Sequence, residues 1–187
     1  MKGNQMIGLV VIDMQQAFEL PGWGERNNPQ AEEKALAILE AFRDQGRPVV
    51  HVQHVSDKPE SFFYTEQGQA FKVGFEPVEK EAIFQKQVNS AFIGTDLEAY
   101  LRKAGINHVV ILGLTLPHCV STTTRMAANL GFQVTLVADA TATFVLPDLA
   151  GKLLEPELLH QINLASLQGE FAQVVDTKEV LKLLEHD

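Results

Sequence analysis

The chain contains one cysteine among 187 residues, so no internal disulfide can brace it. Positive charge is also scarce. Fifteen Lys and Arg face 24 Asp and Glu, for a net charge of −9, and the basic residues are scattered singly. That distribution excludes the clustered basic face that nucleic-acid phosphates require. Long apolar runs are missing as well. The N-terminal run at 6–12 is seven residues broken by Gly8, far short of the roughly 20 residues that span a bilayer. Neither a small-residue cleavage site nor a spanning segment is read there. Low-complexity tracts, linkers and internal repeats are absent too. These absences lead to the expectation of a chain in the reducing cytoplasm, without membrane or nucleic-acid partners.

What is present is an ordinary globular composition, 45% hydrophobic and 21% charged, at a length that suits one domain over 1–187. Short apolar runs alternate with longer amphipathic stretches, the pattern of βαβ units around a parallel sheet. Strands are expected at 6–12, 48–53, 82–86, 108–114, 133–138 and 172–176. The first is continuous rather than alternating, as in a strand buried on both faces. Helices are expected at 31–45, from Thr95 (as a capping box with Glu98) to 104, at 118–130, at 153–167 and from a Thr177 cap to about 185. Residues 54–80 show no sustained period, and a loop of that length in a compact domain is usually functional. The expected fold is α/β: a three-layer α/β/α sandwich with a six-stranded, mainly parallel sheet.

In such sheets ligands bind beyond the carboxyl ends of the strands, so the residues just after each strand carry the functional question. Asp13 follows the first strand, Lys86 closes the third, and Cys119 lies past the fourth in what reads as the first turn of a helix. Each has an ordinary reading: a turn-starting Asp, a solvated Lys, a small buried Cys. Together they put a proton acceptor, a cation and a nucleophile at one sheet edge, the set an activated thiol needs. A helix N-terminus is expected to lower the thiol's pKa.

Asp13, Met14 and Gln15; Lys86 with Ser90, Ala91 and Phe92; and Gly113, Leu114 and the Cys119-Val-Ser-Thr-Thr-Thr run resemble the three signature blocks of the isochorismatase-like cysteine hydrolases. The Gly131-Phe-Gln-Val and Val137-Ala-Asp-Ala segments continue the likeness, which covers residues 6–143. The resemblance implies that Cys119 attacks a carbonyl, that Asp13 takes the thiol proton and passes it to the leaving nitrogen, and that Lys86 orients the pair. It also implies a non-proline cis peptide between Leu114 and Thr115, with the Thr115 and Cys119 N–H groups as an oxyanion hole. A small-molecule substrate, no cofactor and a homo-oligomer (dimer or tetramer) are implied as well.

Many relatives carry a Thr where this chain has Leu116 and a polar residue where it has Pro117, so substrate contacts of that turn are not carried over. Nicotinamidases of the family bind a metal through an Asp-x-His-Pro cluster after the second strand. Here the segment holds His51 and His54, whose three-residue spacing in a strand puts them on opposite faces, and no metal is expected. Phe18, Phe63 and His118 are the candidate substrate contacts, with Trp23, Phe62 and Tyr64 nearby. Two other readings stand beside amide hydrolysis: vinyl ether hydrolysis by Asp13 and Lys86 without the thiol, and a non-catalytic small-molecule binder. A flavin-binding scaffold is disfavoured because no Gly-rich phosphate loop follows the first strand.

Overall fold

A computed structural model describes residues 6–186. Residues 1–5, part of the segment weighed above as a leader, lie outside it, as does 187. In chain order the elements are β1 (Met6–Ile12), α1 (Ala31–Asp44), β2 (Val49–His54), a short α2 (Glu66–Gln69), β3 (Ala82–Lys86), α3 (Leu97–Lys103), β4 (Ile106–Leu114), α4 (Ser121–Asn129), β5 (Gln133–Ala142), the two-residue strands β6 (Leu146–Pro147) and β7 (Leu153–Leu154), α5 (Pro156–Leu167), β8 (Gln173–Val175) and α6 (Thr177–His186).

Six strands form one sheet in the order β3-β2-β1-β4-β5-β8, and every pairing in it is parallel. β6 and β7 make a separate antiparallel hairpin that carries too few residues to show a period in the sequence. The three-layer α/β/α sandwich is therefore the observed architecture. On one side Leu9 and Val11 of β1 pack with Ala35, Ile38, Leu39 and Phe42 of α1 and with Val180 and Leu184 of α6. On the other, Val10 and Ile12 pack with Leu97 and Leu101 of α3, Ala127 of α4 and Leu164 and Leu167 of α5. The alternation along β1 assigns successive side chains to opposite layers, and both layers are apolar, which is why the strand reads as a continuous run.

Several ends differ from the sequence reading. α3 starts after Asp96 with no side-chain cap; the Thr95 hydroxyl accepts from the Leu97 N–H instead of anchoring a capping box with Glu98. At α6 the box is built by Asp176 and Glu179, whose side chains accept from each other's backbone N–H groups. Thr177 donates its own N–H and hydroxyl to Asp139. β5 continues past 138 because its pairing with β4 shifts register between Ile111 and Gly113 and resumes at Thr141 and Ala142.

β1 and β4 are neighbours whose connections leave in opposite directions, to β2 and to β5. This is the switch point at which the carboxyl edge opens a crevice. Gly113 is fitted to it: with φ at 131°, a Cβ there would stand 2.0 Å from the Ile12 carbonyl oxygen. Only glycine lets the end of β4 run this close to the end of β1.

Candidate active site

Asp13 is the first residue beyond β1 and adopts φ 49°, a left-handed conformation that Asp tolerates better than most side chains. Its N–H donates to the Val52 carbonyl at 3.0 Å, which ties the turn to β2. Lys86 ends β3, and the Leu116–Val120 segment forms one wide turn before α4, with the Val120 N–H reaching back to the Thr115 carbonyl at 3.3 Å. The helix expected from 118 thus begins with this wider turn, and Cys119 sits inside it. The Leu114–Thr115 peptide is cis.

The three side chains meet. Lys86 Nζ donates to Asp13 Oδ2 at 2.8 Å and to Cys119 Sγ at 3.2 Å. Asp13 and Lys86 are almost wholly sealed from solvent, at 0% and 1% exposure, and Cys119 retains 8%. The second carboxylate oxygen, Asp13 Oδ1, is buried with no hydrogen-bond partner. A buried charge with an empty acceptor position is costly; here it lies beside a thiol that has a proton to give. Burial and the Asp13 carboxylate push the Cys119 thiol up, and Lys86 opposes them only in part. This corrects the expectation of a thiol lowered by a helix N-terminus. The resting site holds an Asp–Lys ion pair beside a protonated sulfur.

A fourth residue joins them. Register pairs His54, the last residue of β2, with Lys86, and Lys86 Nζ lies 2.9 Å from His54 Nδ1. Burial first, and Lys86 second, hold the His54 ring below the ordinary histidine range. Gln15 fixes this strand end: its side chain donates to the His54 carbonyl and accepts from the His54 N–H. Sequence reading considered His54 only as a metal ligand. Its place directly after the second expected strand, at the sheet edge where functional residues are sought, was the available signal.

Among the described residues, Asp13, His54 and Cys119 bring one potential ligand atom each within 4.8 Å of one another. The Lys86 ammonium touches all three residues, so the position between them is filled by the protein's own cation. His51 does not contribute: it is fully buried and bonded to Glu81 at 2.8 Å. The donor set of β2 therefore does not fit the metal that the nicotinamidase pattern would supply.

Beside the sulfur's turn lies a cleft of about 280 Å³ lined by Gly22, Trp23, Phe62, Thr115, Pro117, His118, Phe144, Val145 and Leu146. His118 is in this lining, with Nδ1 3.1 Å from the Thr115 hydroxyl. Phe18 and Phe63 are not in the lining. Phe18 is buried against Trp23, Phe63 and Phe144, and Phe63 packs on Trp23 and on the His54 ring. They support the wall rather than form it. Trp23, Phe62 and Phe144 take the lining position instead, and Phe144 was not foreseen. The lining carries no Asp, Glu, Lys or Arg side chain. Outside this lining, Asn89 Oδ1 accepts from the Cys119 thiol at 3.9 Å.

A parallel α/β sheet with an Asp, a Lys and a Cys converging at its carboxyl edge defines the class. The family model described as "Isochorismatase domain" matches residues 8–179, and the chain belongs to that family, a family of hydrolases. It is 47% identical over 174 residues to the isochorismatase family protein YrdC of Bacillus subtilis, covering 92% of this chain and 93% of that one. It is 29% identical over 144 residues to streptothricin hydrolase of Streptomyces noursei, covering 74% of this chain and 50% of that protein. The solved structure of an isochorismatase-family protein from Chromobacterium violaceum superposes with a TM-score of 0.93 at 40% identity, covering 100% of this chain and 97% of that one. Among the described residues no helix is long and apolar enough to cross a membrane.

Proposed function

We propose that the protein is a cysteine-dependent hydrolase that cleaves a small amide or related acyl compound through a thioester. One observation carries the reading: a single buried ammonium contacts both the Asp13 carboxylate and the Cys119 sulfur, while the carboxylate keeps an open oxygen. On substrate entry Asp13 accepts the thiol proton, and the sulfur attacks the carbonyl carbon. Lys86 stabilises the thiolate as it forms. The Thr115 and Cys119 N–H groups receive the oxyanion. Asp13 returns the proton to the leaving nitrogen, which departs as amine. Asp13 then deprotonates a water that attacks the thioester, releasing the acid and restoring the thiol. Keeping the thiol neutral at rest fits this order, because the nucleophile is released only when an acceptor and a carbonyl are both in place.

The uncharged cleft favours a small, flat or apolar acyl group or leaving group. The test uses nicotinamide, benzamide and p-nitrophenyl acetate as probes. Turnover in the wild type and its loss in Cys119→Ala, with an acetyl group recovered on Cys119 from the ester, is the expected result. Undiminished turnover in Cys119→Ala would overturn the thioester and leave Asp13 and Lys86 to act without the thiol.

A further inference from the structure

We infer that His54 is a positioning residue, which holds the Lys86 ammonium between Asp13 and Cys119 by accepting a hydrogen bond at Nδ1. The inference rests on the hydrolase reading for its kinetic consequence, though not for the contact itself.

An ammonium has three N–H donors and no acceptor. Asp13 Oδ2, Cys119 Sγ and His54 Nδ1 lie 2.8, 3.2 and 2.9 Å from Lys86 Nζ, so each donor has one partner. A lysine has a flexible four-carbon stem, and a compact charge on such a stem is placed by its partners rather than by its own shape. Without His54, one donor of the buried ammonium would lose its partner, and the ammonium would shift to find another. The contact requires a ring protonated at Nε2 and bare at Nδ1. Protonation at Nδ1 would remove the acceptor and set a second cation against the first.

The ring itself is well fixed. Its backbone is tied on both sides by the Gln15 amide, and it packs tilted against the Phe63 ring with centroids 4.7 Å apart. The charged and titratable groups facing it are Lys86 from β3, Asp13 after β1 and Cys119 before α4. Lys86 disfavours the protonated ring and Asp13 favours it, with burial outweighing both. The neutral ring is accordingly the state that persists through the neutral range.

Two readouts test the inference. The first is the ring 15N spectrum of the wild type at neutral pH, with His54 assigned by its loss in His54→Asn. A protonated Nε2 and a bare Nδ1 are expected; a proton on Nδ1 would overturn the inference. The second is the pH profile of p-nitrophenol release from p-nitrophenyl acetate. His54→Ala should lower kcat about ten- to a hundredfold, the loss that fits one hydrogen bond to a charged group, with KM nearly unchanged. His54→Asn keeps a short acceptor and should recover most of kcat, while losing the histidine's contribution to the acid limb and keeping that of Asp13. Unchanged kcat in His54→Ala, or no recovery of kcat in His54→Asn, would overturn the positioning role. The hydrolase reading is judged separately, by Cys119→Ala; its failure would leave the 15N result intact.

Discussion

Strand β2 carries two histidines three residues apart, and each belongs to a different buried charge cluster. His51 faces Glu81, whose two oxygens are held by the Arg43 guanidinium, by His51 and by the Val78 N–H. His54 faces Lys86 and Asp13, and there one carboxylate oxygen is left without a partner. The first cluster's carboxylate is saturated; the one orphan beside it is His51 Nδ1, on a ring that burial keeps neutral. A saturated carboxylate is tied down and unreactive, and it anchors the chain before β3 to α1. An unsaturated one can still accept a proton, and it sits next to the sole thiol. The difference separates a charge cluster that stabilises from one that reacts.

The comparison breaks most sharply at Asp13. Asp13→Asn preserves shape and keeps a polar partner for Lys86, but it removes the negative charge. Hydrolysis of p-nitrophenyl acetate should fall about 100- to 10,000-fold, as for loss of a general base. The thiol should change in the opposite sense. Burial and the Asp13 carboxylate raise the Cys119 pKa and Lys86 lowers it, so deleting the carboxylate leaves Lys86 opposed by burial alone. Iodoacetamide should then alkylate the single cysteine faster at neutral pH in the variant than in the wild type. Slower alkylation together with slower hydrolysis would mean that Asp13 activates the resting thiol directly, contrary to the neutral-thiol order proposed here.

The equivalent change in the other cluster should spare catalysis and cost stability. Burial would raise Glu81, but Arg43, the Val78 N–H and His51 outweigh it and hold the carboxyl at about 2 against an ordinary 4.5. A depressed carboxyl stabilises the fold above its unfolded pKa, and that stability is lost as pH falls through the folded value. The urea midpoint of the wild type should therefore drop between about pH 5 and pH 2. Glu81→Gln should remove the Glu81 share of that dependence and leave the share of Glu32, whose carboxyl Arg26 and Lys72 also hold down. Arg43 is partly open to solvent, at 23% side-chain exposure, so screening limits the loss at neutral pH to about 1–2 kcal/mol. Turnover should change by less than about twofold. A large fall in kcat would mean that the two clusters are coupled through β2.

How much of this was legible in the sequence follows from which interactions are local. A strand buried on both faces is a continuous apolar run, so β1 was read with its observed bounds; the short edge strand β3 was too, although its side chains alternate in exposure, and the residues at the strand ends pointed to Asp13, Lys86 and Cys119. The cis peptide at Leu114 and Thr115 came from the family resemblance. The β6–β7 hairpin was missed because two-residue strands have no period. The extension of β5 was missed because it depends on a register shift against β4. His54 escaped notice because its partner is fixed by strand register, which joins residues 32 apart. The direction of the thiol shift was misjudged for a related reason: a turn next to a helix is visible in a sequence, but the burial of a carboxylate beside it is not.

The smallest contrast lies in the aromatic wall, where one ring lines the cleft and another supports it. Phe62 and Trp23 face the cavity with ring centroids 4.7 Å apart, and Phe18 stands behind Trp23 at 4.9 Å. Phe62→Ala removes lining surface and should raise KM for p-nitrophenyl acetate about three- to tenfold, the effect of a few lost methylene-sized contacts, with kcat nearly constant. Phe18→Leu alters a ring that is 8% exposed and should lower stability by about 1–2 kcal/mol, leaving KM unchanged. Both rings are apolar, aromatic and close to the same loop, so composition cannot tell them apart. Only their order from cavity to core does. A KM that responds to Phe18 instead would mean that substrate displaces Trp23 and reaches the second row, and the cleft would then be deeper in the working enzyme than at rest.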